Sequence, residues 1–219
     1  RRLFERLELE PIKGKGGVNL SSSLTSQLLA DKSPIELLDG DLAFTGEALA
    51  IENFDLDGLV SGFKDSQEAS LVNSGSFLAA GPLGMIASQF TQAGAGALTA
   101  DQGTTKVSKI VTKADIKQGL LSFTDAAITT GKHRLAVKGG VDLNNQTFQN
   151  LQFAVLDEKG CSTLKQTVEG SLTSPDTKIS KSALKTLIAP LGDLLNKGKK
   201  LLGKECNPFY QGSVSHPGN

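Results

Sequence analysis

From Thr104 onward, apolar and polar residues alternate in short runs separated by turn residues. The runs "TKVSKIVTKADI", "GLLSFTDAAIT", "HRLAVKGGVDL", "TFQNLQFAVLD" and "STLKQTVEGSLT" are punctuated by Lys117-Gln118-Gly119, Thr130-Gly131, Asn144-Asn145 and Glu158-Lys159-Gly160. A period of two marks strands with one buried face. Connections this short leave no room for a crossover, so neighbouring strands must be antiparallel. In the third run Leu135, Val137, Val141 and Leu143 share a face, while Lys138 and Asp142 take the other; in the fourth, Leu151, Phe153 and Val155 share one. A two-residue turn at Asn144-Asn145 sets Val137 opposite Gln152 and mixes these faces. A three-residue loop, 144–146, pairs Val137 with Phe153 and Leu135 with Val155. Because a slip of one residue turns every side chain over, the three-residue loop is expected. The fifth run sets Leu164, Val168 and Leu172 against Lys165, Thr167 and Glu169. The expected sheet is apolar on one face and polar on the other.

The first half is less regular. "RRLFERL" reads as the end of an apolar-faced helix, and "KGKGGVNLSSSLTSQLL" as a small-residue strand with Val18, Leu20, Leu24 and Leu28 at even spacing, broken at Ser22. "IELLDGDLAFTGEALAIENFDL" reads as two short strands with turns at Asp39-Gly40 and Gly46. In "DLDGLVSGFKDSQ", Leu56, Leu59, Val60 and Phe63 recur at helical spacing behind Asp55, a natural N-cap. From "SGSFLAAGPLGMIASQF" to "AGAGALTADQG" the pattern fits a strand leading into a short helix and a glycine-rich loop.

Near the C-terminus the period changes to 3.6. Leu184, Leu187, Ile188, Leu191, Leu194, Leu195, Leu201 and Leu202 form a stripe, with Lys181, Lys185, Lys197, Lys199, Lys200 and Lys204 mainly off it. This predicts a helix over about 181–202 that Pro190 kinks or splits. Such a helix covers one end of the sheet with its lysines in water. Alternatively, Lys197, Lys199 and Lys200 touch anionic headgroups, since a basic amphipathic helix can lie at a membrane surface. The final run, "PFYQGSV", reads as a terminal strand pairing near the strand that begins at Cys161. The expected fold is a single α+β domain over 1–219, mainly antiparallel β. Strands and short helices fill 1–103; the meander, kinked helix and terminal strand fill 104–219.

Charge and chemistry narrow the function. Lys+Arg and Asp+Glu both number 23, so the basic excess that a nucleic-acid binder uses against phosphates is missing. No run reaches the roughly 18 apolar residues of a membrane-spanning helix, and no signal peptide opens the chain. The only methionine is Met85, so the expectation is a fragment or processed product, which leaves open a membrane helix or a signal sequence before it. His216 lies in a tail and His133 opens a strand beside a turn, so no Ser/His/Asp or Cys/His arrangement is nominated. "KGKGGVNL" and "GAGAL" lack phosphate-loop spacing, and "DLDG" at Asp55 lacks the later ligands of a calcium loop. Asp39 and Asp41 straddle a turn glycine. No catalytic residue, metal or cofactor is expected. Cys161 and Cys206 are too few for an ordinary zinc site; they are either two buried thiols or one disulfide.

A resemblance gathers these features. "GCSTLKQTVEGSLTSP", "ALKTLIAPLGDLLNKGKKLL" and "ECNPFYQGSVSHP" resemble the C-terminal end of AsmA family proteins. The matching positions are Gly160, Cys161, Gln166, Gly170, Pro190, Leu191, Leu194, Leu195, Gly198, Lys199, Glu205, Cys206, Phe209, Tyr210, Gly212, Ser213 and Val214. "ELLDGDLAFTGEALAIENFDLDGLV", "FLAAGPLG" and "VKGGVDLNNQTFQNLQFAVLDEKGC" are also similar to that family, with the most specific part in the last sixty residues or so. The resemblance implies the periplasmic portion of a protein anchored in the inner membrane of a Gram-negative bacterium. It also implies a role in outer-membrane biogenesis, within a wider group of bridge-like lipid-transfer proteins built as β-grooves. It favours the Cys161–Cys206 disulfide, since the periplasm is oxidising.

On this reading the sheet is strongly curved, and Leu135, Val137, Val141, Phe153, Val155, Leu164 and Val168 line a groove that shields phospholipid acyl chains between the two membranes. The same seven residues also suit an ordinary dry core. The chief rival is a structural or docking module for outer-membrane protein or lipopolysaccharide assembly that binds no lipid; an enzyme ranks third.

Overall fold

The computed structural model describes residues 14–52, 54–58, 60–61, 103–179 and 206–217. Eight strands form one open, curved sheet in strict sequence order. They are β1 (Gly14–Thr25), β2 (Asp39–Glu52), β3 (Thr104–Lys117), β4 (Leu120–Thr130), β5 (Arg134–Asp142), β6 (Thr147–Leu156), β7 (Ser162–Ser171) and β8 (Ser174–Ile179). Every neighbouring pair is antiparallel. Among the described residues, helix is confined to one turn carrying Leu56 and Val60. It begins where Asp55 was read as a cap, with Gly58 N–H donating to Asp55 Oδ1 at 2.9 Å. The helices read over 181–202 and in "RRLFERL", and the elements read between 62 and 102, lie outside the described residues.

The turns follow their chemistry. Gln118 and Gly119 both have positive φ (50° and 74°), the backbone a two-residue hairpin needs to match strand twist. The Gln118 amide donates to Asp39 Oδ1 at 2.9 Å, tying this turn to the start of β2. The break expected at Gly46 does not occur, and β2 runs through it. A Cβ there would lie 2.8 Å from Leu49 Cδ1 and 3.2 Å from Ile110 Cγ2 and Val18 Cγ1. Crowding from neighbouring side chains explains this glycine.

The β5–β6 register pairs Val137 with Phe153 and Leu135 with Val155, as expected, but by another route. Asp142 pairs with Thr147, so the loop has four residues, 143–146, and the register nearest the turn is the one that mixes faces. One extra residue in β6 then restores the faces between Gln149 and Gln152. Asn150 there has φ 48°, a left-handed backbone that asparagine tolerates. Opposite it, a Cβ on Gly139 (φ 99°) would sit 2.2 Å from Asn150 O. Gly139→Ala is therefore expected to cost roughly 1–3 kcal/mol, read as a lower urea midpoint at unchanged slope. An equal effect at solvent-open Gly131 would point elsewhere.

The terminal run "PFYQGSV" is not a strand. Residues 206–217 form an irregular strap across one face of the sheet, and the amides of Phe209 and Tyr210 converge on Gly160 O at 2.8 and 3.2 Å. No ladder joins the strap to β7: its backbone contact beside Cys161 is with Gly160 O, and β8 pairs only Gln166–Ser171 of β7. Cys161 and Cys206 are joined in a disulfide that pins the strap's first residue beside Gly160.

Candidate functional site

Residues directly opposite in an antiparallel ladder share a face, so register identifies what crosses the sheet. One transverse row runs Val18–Gly46–Ile110–Ile128–Leu135–Val155–Leu164, from β1 to β7. A second, nearer the opposite strand ends, runs Leu24–Gly40–Ile116–Leu121–Val141–Phe148. Seven of the strands thus contribute to one apolar face.

All seven groove candidates lie on this face, in different surroundings. Leu135, Val155 and Leu164 are buried in one cluster with Leu56 and Val60. Val168 is buried with Leu151 in a second cluster, where Val137 and Phe153 are only partly buried; Phe153 touches both clusters. Val141 is half-buried opposite Phe148. Leu135, Val155 and Leu164 are therefore packed against the protein's own side chains, as the dry-core alternative holds.

The cover over that end is fixed by polar contacts. Thr105 Oγ1 donates to Phe54 O (2.5 Å) and accepts from Leu56 N–H (2.9 Å). Thr130 Oγ1 donates to Asp57 Oδ1 at 2.5 Å. Ser61 Oγ lies 3.5 Å from His133 Nε2; this juxtaposition was invisible in sequence because the residues are 72 positions apart. With Asp57 engaged by Thr130, these groups tie the cover to the β4–β5 turn. Away from it the face opens. Leu42, Phe44, Ile110, Leu121 and Phe123 are half-buried, and on β1 Val18, Leu20 and Leu24 are 54%, 70% and 50% exposed.

The opposite face is not simply polar. Val111, Ala127, Ala136, Ala154 and Leu156 form a patch on which Tyr210 and Val214 of the strap are buried. A bulge between Lys113 and Ala114 on one side of β4, and between Ser122 and Ala127 on the other, turns Asp125 onto this face. Asp125 accepts from Tyr210 Oη (2.5 Å), Ser213 Oγ (2.7 Å) and Ser213 N–H (3.3 Å). Burial raises its carboxyl, but these bonds and the Lys113 charge outweigh that and hold it below the usual carboxylate range. Burial, then the bond to Asp125, pushes the Tyr210 hydroxyl up to about 12.

Buried Arg134 donates to the carbonyls of Val214 (3.2 Å), Asp157 (2.8 Å) and Glu158 (3.4 Å), and its guanidinium lies 5.9 Å from the Tyr210 ring centre. The sequence reading missed Arg134 and Asp125 because nothing local marks them.

Among the described residues no group of three or more His, Cys, Asp or Glu side chains is placed to hold a metal ion. The surface-lysine candidates Lys197, Lys199 and Lys200 lie outside the described residues. Comparison with family models, curated proteins and solved structures yields no match.

Proposed function

We propose that the chain is a periplasmic, non-enzymatic module of an AsmA-like protein tethered to the inner membrane. Its apolar face shields phospholipid acyl chains passing between the inner and outer membranes. The observation that carries this reading is the apolar face that spans seven strands, is covered by Leu56 and Val60 at one end, and opens to water toward β1. Contiguous exposed apolar surface of this kind marks a binding site. Hydrocarbon needs only a continuous apolar row, and no catalytic group is required of it. The Cys161–Cys206 disulfide supports an oxidising compartment such as the periplasm. The contact surface consists of the half-buried residues, Val137, Val141 and Phe153 among the seven, more than of Leu135, Val155 and Leu164 beneath the cover.

Lipid mass spectrometry on the purified chain tests this. Phospholipid is expected to co-purify, and Val141→Asp to lower its yield several-fold while far-UV circular dichroism and the melting temperature stay close to wild type. Folded protein free of lipid, whatever the variant, would refute the reading. It would favour the docking module for outer-membrane assembly, which the closed core beneath Leu56 and Val60 suits better.

A further inference from the structure

The two ends of the strands are built differently. At one end lie the helical cover and the turns 131–133 and 157–161, which carry Lys132, His133, Asp157, Glu158 and Lys159. At the other end four connections meet: 26–38 after β1, Gln118-Gly119 after β3, 143–146 after β5 and Leu172-Thr173 after β7. This end is aliphatic. Leu28 is 87% exposed, and Leu29, Ile35 and Leu120, the first residue of β4, are also exposed. Leu143 and Leu172 are half-buried.

The backbone at this end is knit into one rim. Gly119 N–H donates to Leu38 O at 3.0 Å, Leu143 N–H to Gly119 O at 2.9 Å and Leu172 N–H to Gln146 O at 2.8 Å, which joins all four connections. Asp39 Oδ1 accepts the Gln118 amide, and Asp142 Oδ1 accepts the amides of Asn144 and Asn145 at 2.9 and 3.0 Å. Ser26 Oγ donates to Pro34 O at 2.6 Å across the first connection. The exposed leucines therefore stand on a frame whose polar groups pair with one another.

These features select the kind of surface that the rim fits. A folded protein partner is gripped chiefly by aromatic and arginine anchors, and the four connections contain neither. A strongly anionic surface calls for a basic cluster. The charged residues here are Asp31, Lys32 and Glu36, of mixed sign, which suits headgroups that carry both signs. Aliphatic side chains on an internally paired backbone suit the boundary between headgroups and acyl chains, where water no longer satisfies amides and carbonyls. The rim also borders the uncovered row Leu24–Gly40–Ile116–Leu121–Val141–Phe148, away from the cover.

We propose that this rim docks on the surface of a zwitterionic phospholipid bilayer, with Leu28, Leu29, Ile35 and Leu120 entering just below the headgroups. The open part of the apolar face then meets the bilayer directly. The proposal deepens the lipid reading and rests on it for what passes between bilayer and face; docking itself is measured separately.

The test uses the full 219-residue chain and vesicles of phosphatidylcholine alone. The chain is expected to float with the vesicles. Leu28→Asp should weaken binding by about tenfold or more, the worth of one buried leucine, whereas Lys132→Asp, at the opposite end, should leave it unchanged. Both native cysteines are held in the disulfide, so Leu28→Cys supplies one thiol for a polarity-sensitive fluorophore. Its emission should shift to the blue when vesicles are added, and a label at Lys132→Cys should not respond. Four results would overturn the proposal: no flotation, flotation only when phosphatidylglycerol is present, a response at position 132 instead of 28, or a label at position 28 already in apolar surroundings without vesicles, which would mean that the chain covers its own rim. A chain that floats yet carries no lipid would refute the lipid reading and leave docking standing. One that carries lipid yet stays off the vesicles would do the reverse.

Discussion

Replacing both Cys161 and Cys206 by serine should lower stability by about 4 kcal/mol, the chain-entropy figure for closing a loop of this length. The bond joins positions 45 apart, the residue just before β7 to a strap that has no ladder of its own. Without it, the unfolded chain gains freedom while the folded one keeps its remaining strap contacts. For a chain of this size such a loss lowers the melting temperature by roughly 8–16 °C. Thermal melts of the double variant, with and without reductant, check this; wild type in reductant should match the variant. Equal stability of oxidised and reduced wild type would mean that the unfolded state or the native geometry offsets the gain. A thiol assay on denatured, unreduced protein should find no reactive cysteine.

That disulfide was one of two readings open from residue types alone, and the family resemblance favoured it further. The sheet was far more legible. Five alternating runs from Thr104 with four turn signals became β3 to β7, because period-two burial and short connections act locally. β8 was missed: six residues with a proline near the start carry little alternation. Bulges were missed for a related reason. An extra residue at Asn150, or between Ser122 and Ala127, reverses the face of every later side chain in its strand, yet in sequence it looks like one more residue in the run. The polar-face expectation failed at Ala127, Ala136 and Ala154, whose small side chains look neutral until Tyr210 and Val214 lie on them. Likewise Gln166 was passed over because a glutamine between Leu164 and Val168 contradicts an oily row, although alternation places it there, buried. The apolar face was therefore readable as a pattern. How much of it is covered depends on Leu56 and Val60, which lie far before Leu135, Val155 and Leu164 in the chain, and no local signal carries that distance.

The second large effect is expected at Tyr210, the only tyrosine in the chain. Tyr210→Ala removes a buried ring from the patch of Val111, Ala127, Ala136, Ala154 and Leu156 and should cost about 3–5 kcal/mol. Tyr210→Phe keeps the ring and removes only the hydroxyl, which donates to Asp125 and accepts from Val214 N–H at 3.2 Å. It should cost about 1 kcal/mol, because water reaches Asp125 in exchange. The two variants therefore separate packing from hydrogen bonding.

They also separate two pH limbs. The Tyr210 hydroxyl is raised in the fold to about 12 from an ordinary 10.0. Its contribution is complete below the ordinary value and is lost as pH rises toward the folded one, since the unfolded chain ionises first. Asp125 is held below its ordinary 3.8. Its contribution is complete above that value and is lost as pH falls through the lower folded one. Urea midpoints across pH should thus show an alkaline decline that Tyr210→Phe flattens. The acid decline should persist in Tyr210→Phe in part, because Ser213 still donates to Asp125, and should shrink most in Asp125→Asn. Because no other tyrosine contributes, tyrosinate absorbance in the folded protein reads Tyr210 alone. Ionisation at the free-tyrosine value would show that the strap leaves the sheet before the hydroxyl titrates, and the clasp between Asp125 and Tyr210 would lose its role.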